Sequence, residues 1–95
     1  MGYANKGNIS AKGYGAHAEG YAKKDSIDAS GNGAHAEGYN TKALADGAHA
    51  EGRGTIAEGA YSHAEGYQTT ASSTASHAEG SNTIAEGDYS HAEGY

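Results

Sequence analysis

Thr55-Ile56-Ala57-Glu58-Gly59-Ala60-Tyr61-Ser62-His63-Ala64-Glu65-Gly66 is one unit of a repeat that runs through the whole chain. Its signature, His-Ala-Glu-Gly, occurs six times, beginning at His17, His35, His49, His63, His77 and His91. The last five copies follow one another at 14 residues, and the first gap is 18. A fixed period this short is the mark of a solenoid, in which each unit buries its surface only against its neighbours.

Counting back from each His exposes the inside of the coil. Six residues earlier stands Ala11, Ala29, Ala43, Ala57, Ala71 or Ala85. Eight residues earlier stands Ile9, Ile27, Thr41, Thr55, Thr69 or Thr83. Immediately before the His is Ala or Ser, and immediately after it is always Ala. These small or β-branched positions alternate with residues of other character, the period of a strand. Each coil thus reads as two short strands, typified by Thr55-Ile56-Ala57-Glu58-Gly59 and Ser62-His63-Ala64-Glu65-Gly66, with their small faces turned inward. Gly20, Gly38, Gly52, Gly66, Gly80 and Gly94 are expected to end the second strand, where the chain turns. The other face of the first strand carries Lys12, Asp28, Lys42, Glu58 and Glu86, so it faces solvent, with Ile56 and Ile84 as isolated apolar residues. Ala and Glu are good helix formers, but a small residue or Gly every few positions argues against helix.

The expected fold class is all-β, a parallel β-roll or solenoid of about six coils over residues 1–95. Gly2-Tyr3 reads as the end of a preceding copy, so the chain begins mid-repeat. The extra four residues of the first gap are placed in an inserted polar loop, residues 22–26, whose Lys23 and Lys24 read as a solvated tip.

Composition limits what else the chain can be. Of its 95 residues, sixteen are Gly, and Ile9, Ile27, Leu44, Ile56 and Ile84 are the only Ile or Leu. Such a poverty of large apolar groups is typical of disordered chains, and it is the repeat that argues for order. Stability must come from backbone hydrogen bonds, close packing of small residues and other chains. A net charge of −6 argues against nucleic-acid binding. Without Cys there is neither a disulfide framework nor a thiolate metal site. No stretch has the run of apolar residues that a membrane span needs.

The pattern Thr55 to Gly66 resembles the head-domain repeat of trimeric autotransporter adhesins, the YadA-like or haemagglutinin-type repeat of 14 residues. The resemblance covers Gly2 to Tyr95. It implies a left-handed β-roll and a homotrimer with three chains side by side. It also implies a place at the distal end of a bacterial surface fibre, anchored in the outer membrane by parts outside this stretch. The function it implies is non-catalytic adhesion, a rigid rod for attachment to a host cell or extracellular matrix, with a role in virulence and no cofactor. Related repeats are expected in phage fibres, so a structural spacer of a phage tail fibre on the virion is the alternative. A monomeric solenoid that binds a ligand or metal through one face is another.

Where the family carries Val and Ile toward neighbouring chains, this sequence carries His and Glu. The implied inter-chain columns are His17, His35, His49, His63, His77 and His91, beside Glu19, Glu37, Glu51, Glu65, Glu79 and Glu93. Stacked carboxylates repel, and interleaved imidazoles supply donors to them, so a structural His–Glu network between chains is expected. Neighbouring Glu is expected to favour charged His. His-Ala-Glu lacks zincin spacing and every coil carries the pair, so neither a metal centre nor a catalytic acid–base pair is singled out. Tyr21, Tyr39 and Tyr67 follow the motif Gly and form a possible ligand surface, a column that Arg53 and Ser81 interrupt. Tyr61 and Tyr89 sit at the turn before the second strand.

Overall fold

The computed structural model describes residues 2–5, 8–23 and 26–95, of which 2–5, 8 and 23 are described as backbone only. Among them run β1 (Gly2–Asn5), β2 (Asn8–Ala11), β3 (His17–Lys23), β4 (Ser26–Ala29), β5 (His35–Tyr39), β6 (Lys42–Ala43), β7 (His49–Arg53), β8 (Ile56–Ala57), β9 (His63–Tyr67), β10 (Thr70–Ala71), β11 (His77–Ala78), β12 (Ile84–Ala85) and β13 (His91–Ala92). Odd-numbered strands form one parallel sheet in the order β1-β3-β5-β7-β9-β11-β13, and even-numbered strands form a second, β2-β4-β6-β8-β10-β12. The chain alternates between the two sheets, so the fold is a parallel β-solenoid of 14-residue coils, as the repeat predicts.

Register is strict. His17 pairs with His35, His35 with His49, His49 with His63, His63 with His77, and His77 with His91. Every position of the repeat therefore becomes a column along the rod. The extents are 32 × 28 × 13 Å, a flat cross-section that only small inward side chains allow. Those inward residues are Ala29, Ala43, Ala57 and Ala71 from one sheet and Ala36, Ala50, Ala64 and Ala78 from the other, all with no exposed surface. Thr41, Thr55 and Thr69 complete the core at the corner. Thr55 Oγ1 donates to the Glu51 carbonyl at 3.1 Å, Thr69 Oγ1 to Glu65 at 3.0 Å and Thr83 Oγ1 to Glu79 at 2.9 Å. Thr55, Thr69 and Thr83 are thus both wall and corner tie, whereas the buried Thr41 Oγ1 has no hydrogen-bond partner.

The motif glycines differ from expectation. Gly20, Gly38, Gly52 and Gly66 lie inside their strands, which continue one or more residues past them. Their φ angles, with those of Gly80 and Gly94, run from 105 to 129°. A Cβ on Gly20, Gly38, Gly52, Gly66 or Gly80 would stand 1.9–2.2 Å from the carbonyl oxygen of the next motif Gly. The strand bends at this point instead of ending, and only Gly fits the bend and the close approach of the next coil. The true turn follows, with Asn40, Gly54, Gln68 and Asn82 at φ 53–65°.

The insertion also differs. Ala22, placed in a polar loop by the sequence reading, is fully buried within β3, and Ser26 already opens β4. The remainder of that expected loop, residues 24 and 25, lies outside the described residues. The extra residues lengthen the strand because Ala22 pairs in register with Ala4 of β1, which extends the ladder between the first two coils.

Candidate functional site

The most distinctive surface is the outer face of the odd-numbered sheet. There the alternation that buries Ala50 and Ala64 turns His49, Glu51, His63 and Glu65 outward. In-register parallel pairing stacks the six imidazoles with ring centroids 4.5–4.7 Å apart. The spacing is that of adjacent strands, and the near-parallel rings gain contact along the whole column.

The Glu column pairs with the His column within the single chain. His17 Nε2 meets Glu19 Oε1, and His35 Nε2 lies 2.9 Å from Glu37 Oε1. Further along, each carboxylate sits between two imidazoles. Glu51 Oε1 is 3.5 Å from His49 Nε2 and 3.4 Å from His63 Nε2. Glu65 Oε1 is 3.5 Å from His63 and 3.3 Å from His77, and Glu79 Oε1 is 3.7 Å from His77 and 3.1 Å from His91. The structure thus brings together all the His and Glu residues singled out from the sequence, as a ladder along one chain. Within the one chain, hydrogen bonds join His35 to Glu37, His77 to Glu65 and His91 to Glu79.

The ladder is half-open. His and Glu side chains in its middle are 33–39% exposed. Yet Nε2 of His49 and of His63 is closed off from solvent and makes no hydrogen bond of acceptable geometry. Burial holds the His49 pKa below its ordinary value of 6.5, helped by His63 and His35, against the opposing pull of Glu51 and Glu37. For His49 the expectation that Glu neighbours would favour the charged form is therefore reversed. Desolvation and two flanking imidazoles outweigh the carboxylates.

The Tyr column is a second feature. Tyr21 and Tyr39 stack at 5.1 Å with an interplanar angle of 13°. Arg53, read from sequence as a break, continues the stack, since its guanidinium lies 4.7 Å from the Tyr39 ring centre and 5.7 Å from that of Tyr67. The signal was present in the repeat, because Arg53 pairs in register with Tyr39 and Tyr67, and a planar cation substitutes for a ring in such a stack. A shallow groove lined by Tyr39, Asn40, Arg53, Gly54, Tyr67 and Gln68 follows it. Tyr61 and Tyr89 stand 71% and 80% exposed at their turns.

Fold and surface together define a class, a parallel β-solenoid of about six turns with a His–Glu ladder along one sheet. No model of a known protein family and no curated protein matches the chain.

Proposed function

We propose that this chain is a stretch of a rigid, non-catalytic rod from a bacterial surface fibre, and that three copies pack side by side through their His–Glu faces to display an attachment surface. The observation that carries this reading is the ladder itself, six stacked imidazoles with interleaved carboxylates, flat, unbroken and half-exposed in a lone chain. A face this regular meets a copy of itself in register, and its Nε2 atoms at His49 and His63 have no hydrogen-bond partner in the single chain. The resemblance of the repeat to adhesin heads supports the same arrangement, including left-handed winding. Against catalysis stands the equivalence of the coils, since among the described residues the His–Glu pair recurs without a distinctive nucleophile in any one copy. Attachment then falls to surfaces away from the trimer axis, for which the Tyr21–Tyr39–Arg53–Tyr67 column is the candidate.

The test is absolute mass by light scattering on EDTA-stripped protein at pH 7.5 and at pH 5. The reading expects the mass of three chains at pH 7.5 and a different mass at pH 5, because protonating imidazoles beside carboxylates changes the charge on the shared face. A folded monomer at pH 7.5 overturns it.

A further inference from the structure

Among the described residues, four sets of three donors recur along the ladder: His35, Glu37, His49; His49, Glu51, His63; His63, Glu65, His77; and His77, Glu79, His91. In each set the three ligand atoms lie within 4.8 Å of one another. A tetrahedral zinc ion, with bonds of about 2.0–2.1 Å to nitrogen and oxygen, holds its ligands roughly 3.3–3.4 Å apart. The His-to-Glu distances already match, at 3.4 and 3.5 Å around Glu51 and 3.3 and 3.5 Å around Glu65. The two imidazoles of a set are farther apart, because strand spacing keeps their rings 4.5–4.7 Å from each other. Bringing both Nε2 atoms onto one ion asks the rings to tip together by about an ångström. They stand on a half-exposed outer face, where such tipping meets little resistance.

We propose that this ladder binds borderline divalent transition-metal ions of the zinc type, each held by Nε2 of two His from adjacent coils and by the Glu carboxylate between them. Hard ions such as Mg²⁺ want an all-oxygen shell, and thiophilic ions want sulfur, so the donor set selects ions that favour imidazole with carboxylate. The second observation is that Nε2 of His49 and of His63 is screened from water and not hydrogen-bonded, although each faces a carboxylate within 3.5 Å. An ion at that point satisfies both. On binding, the neutral imidazole presents the Nε2 lone pair and carries its proton on Nδ1. The fourth position of a tetrahedron stays open to water or to a group from another chain.

The geometry also limits the count. Each Nε2 has a single lone pair, and neighbouring sets share His49, His63 or His77. Two sets that share a His cannot both be filled. At most two of the four hold an ion at once, so the chain takes two ions and not four. The inference concerns one chain and does not depend on trimer formation.

The experiment is calorimetric titration of Zn²⁺ into EDTA-stripped protein at pH 7.5, beside Co²⁺ titration followed by visible absorbance. Saturable binding of two ions per chain is expected, with the strong visible bands of tetrahedral Co²⁺. The double variant H49Q/H77Q removes a ligand from every set and is expected to weaken Zn²⁺ binding by about 100-fold or more, since even outer partners of a metal ligand cost up to about that. Circular dichroism reports whether that variant folds; if it does not, the Co²⁺ spectrum of the unmodified chain decides. No saturation up to millimolar Zn²⁺, a weak spectrum like that of aqueous Co²⁺, or unchanged binding in folded H49Q/H77Q overturns the inference. Because mass is measured without metal, a trimer that takes no zinc removes this proposal and leaves the rod reading standing.

Discussion

The 18-residue coil near the N-terminus and the 14-residue coils after it turn the same corner in different ways. In the short coils four residues separate the motif Glu from the inward Thr, and the Thr55, Thr69 and Thr83 hydroxyls reach back to the Glu51, Glu65 and Glu79 carbonyls. In the long coil eight residues separate Glu19 from the equivalent Ile27. Strand β3 runs on to Lys23, with Ala22 buried. Ile27 fills the space instead, fully buried and in register with Ile9 below it. Both residues are β-branched and suit a strand. The short corner puts an acceptor within reach of Thr55, Thr69 and Thr83, though Thr41, at the same place, keeps its buried Oγ1 without a hydrogen-bond partner.

The largest expected effect breaks the feature that both regions share. Gly52→Ala places a Cβ 2.2 Å from the Gly66 carbonyl oxygen at φ 108°, and is expected to cost about 4 kcal/mol or more, enough to unfold the coils on both sides. Urea denaturation followed by circular dichroism measures it, and a fall in stability below ~1 kcal/mol would show that the coils can part to admit a side chain.

The contrast itself is sharpened by exchanging the two corner residues. Ile27→Thr puts a hydroxyl at a fully buried position and removes buried apolar volume, for an expected loss of about 2–3 kcal/mol. Thr55→Val gives up one hydrogen bond at nearly constant shape and is expected to lose only about 1 kcal/mol. Equal losses in the two variants, measured by the same melts, would mean that corner length does not choose the residue.

A smaller gain is expected at the opposite corner. Gly15, Gly33 and Gly47 occupy the left-handed position there, but Ala75 takes it at φ 55°. Ala75→Gly relieves that conformation and is expected to stabilise the chain by about 0.5–1 kcal/mol, read as a rise in thermal midpoint. A fall would show that the Ala methyl packs more than its backbone strains.

The smallest effect concerns the ladder in metal-free buffer. His49 holds its proton less tightly folded than unfolded, so the unfolded chain binds more protons as pH falls through and below 6.5. The contribution of His49 to stability is present above that value and is lost toward acid. Thermal midpoints are expected to decline from pH 7.5 to pH 5, and the decline should lessen in His49→Gln. A midpoint that rises toward acid would reverse the sign argued here.

Much of the architecture was legible in the repeat. The 14-residue period, the inward Ala and Thr columns and the outward His and Glu columns all follow from strand alternation and fixed spacing, because an in-register parallel stack repeats every position along one line. The site was legible as a list of residues, but its pairings were not. A partner across coils, such as Glu51 for His63, depends on which rotamer each side chain takes on a common face. Arg53 looked like an interruption because residue type was read without its neighbours above and below. The motif glycines looked like strand ends because Gly marks turns by composition, whereas here the close approach of the next coil is what requires it.

The sequence by itself thus determined a solenoid, its period and which residues line its inside, since these rest on alternation and spacing alone. Tertiary structure decided where the strand bends and that Ala22 belongs to the core. It also decided which His and Glu of neighbouring coils meet along the chain, and that His49 favours its neutral form. Those outcomes turn on distances between coils and on exclusion of water, which exist only once the chain is wound.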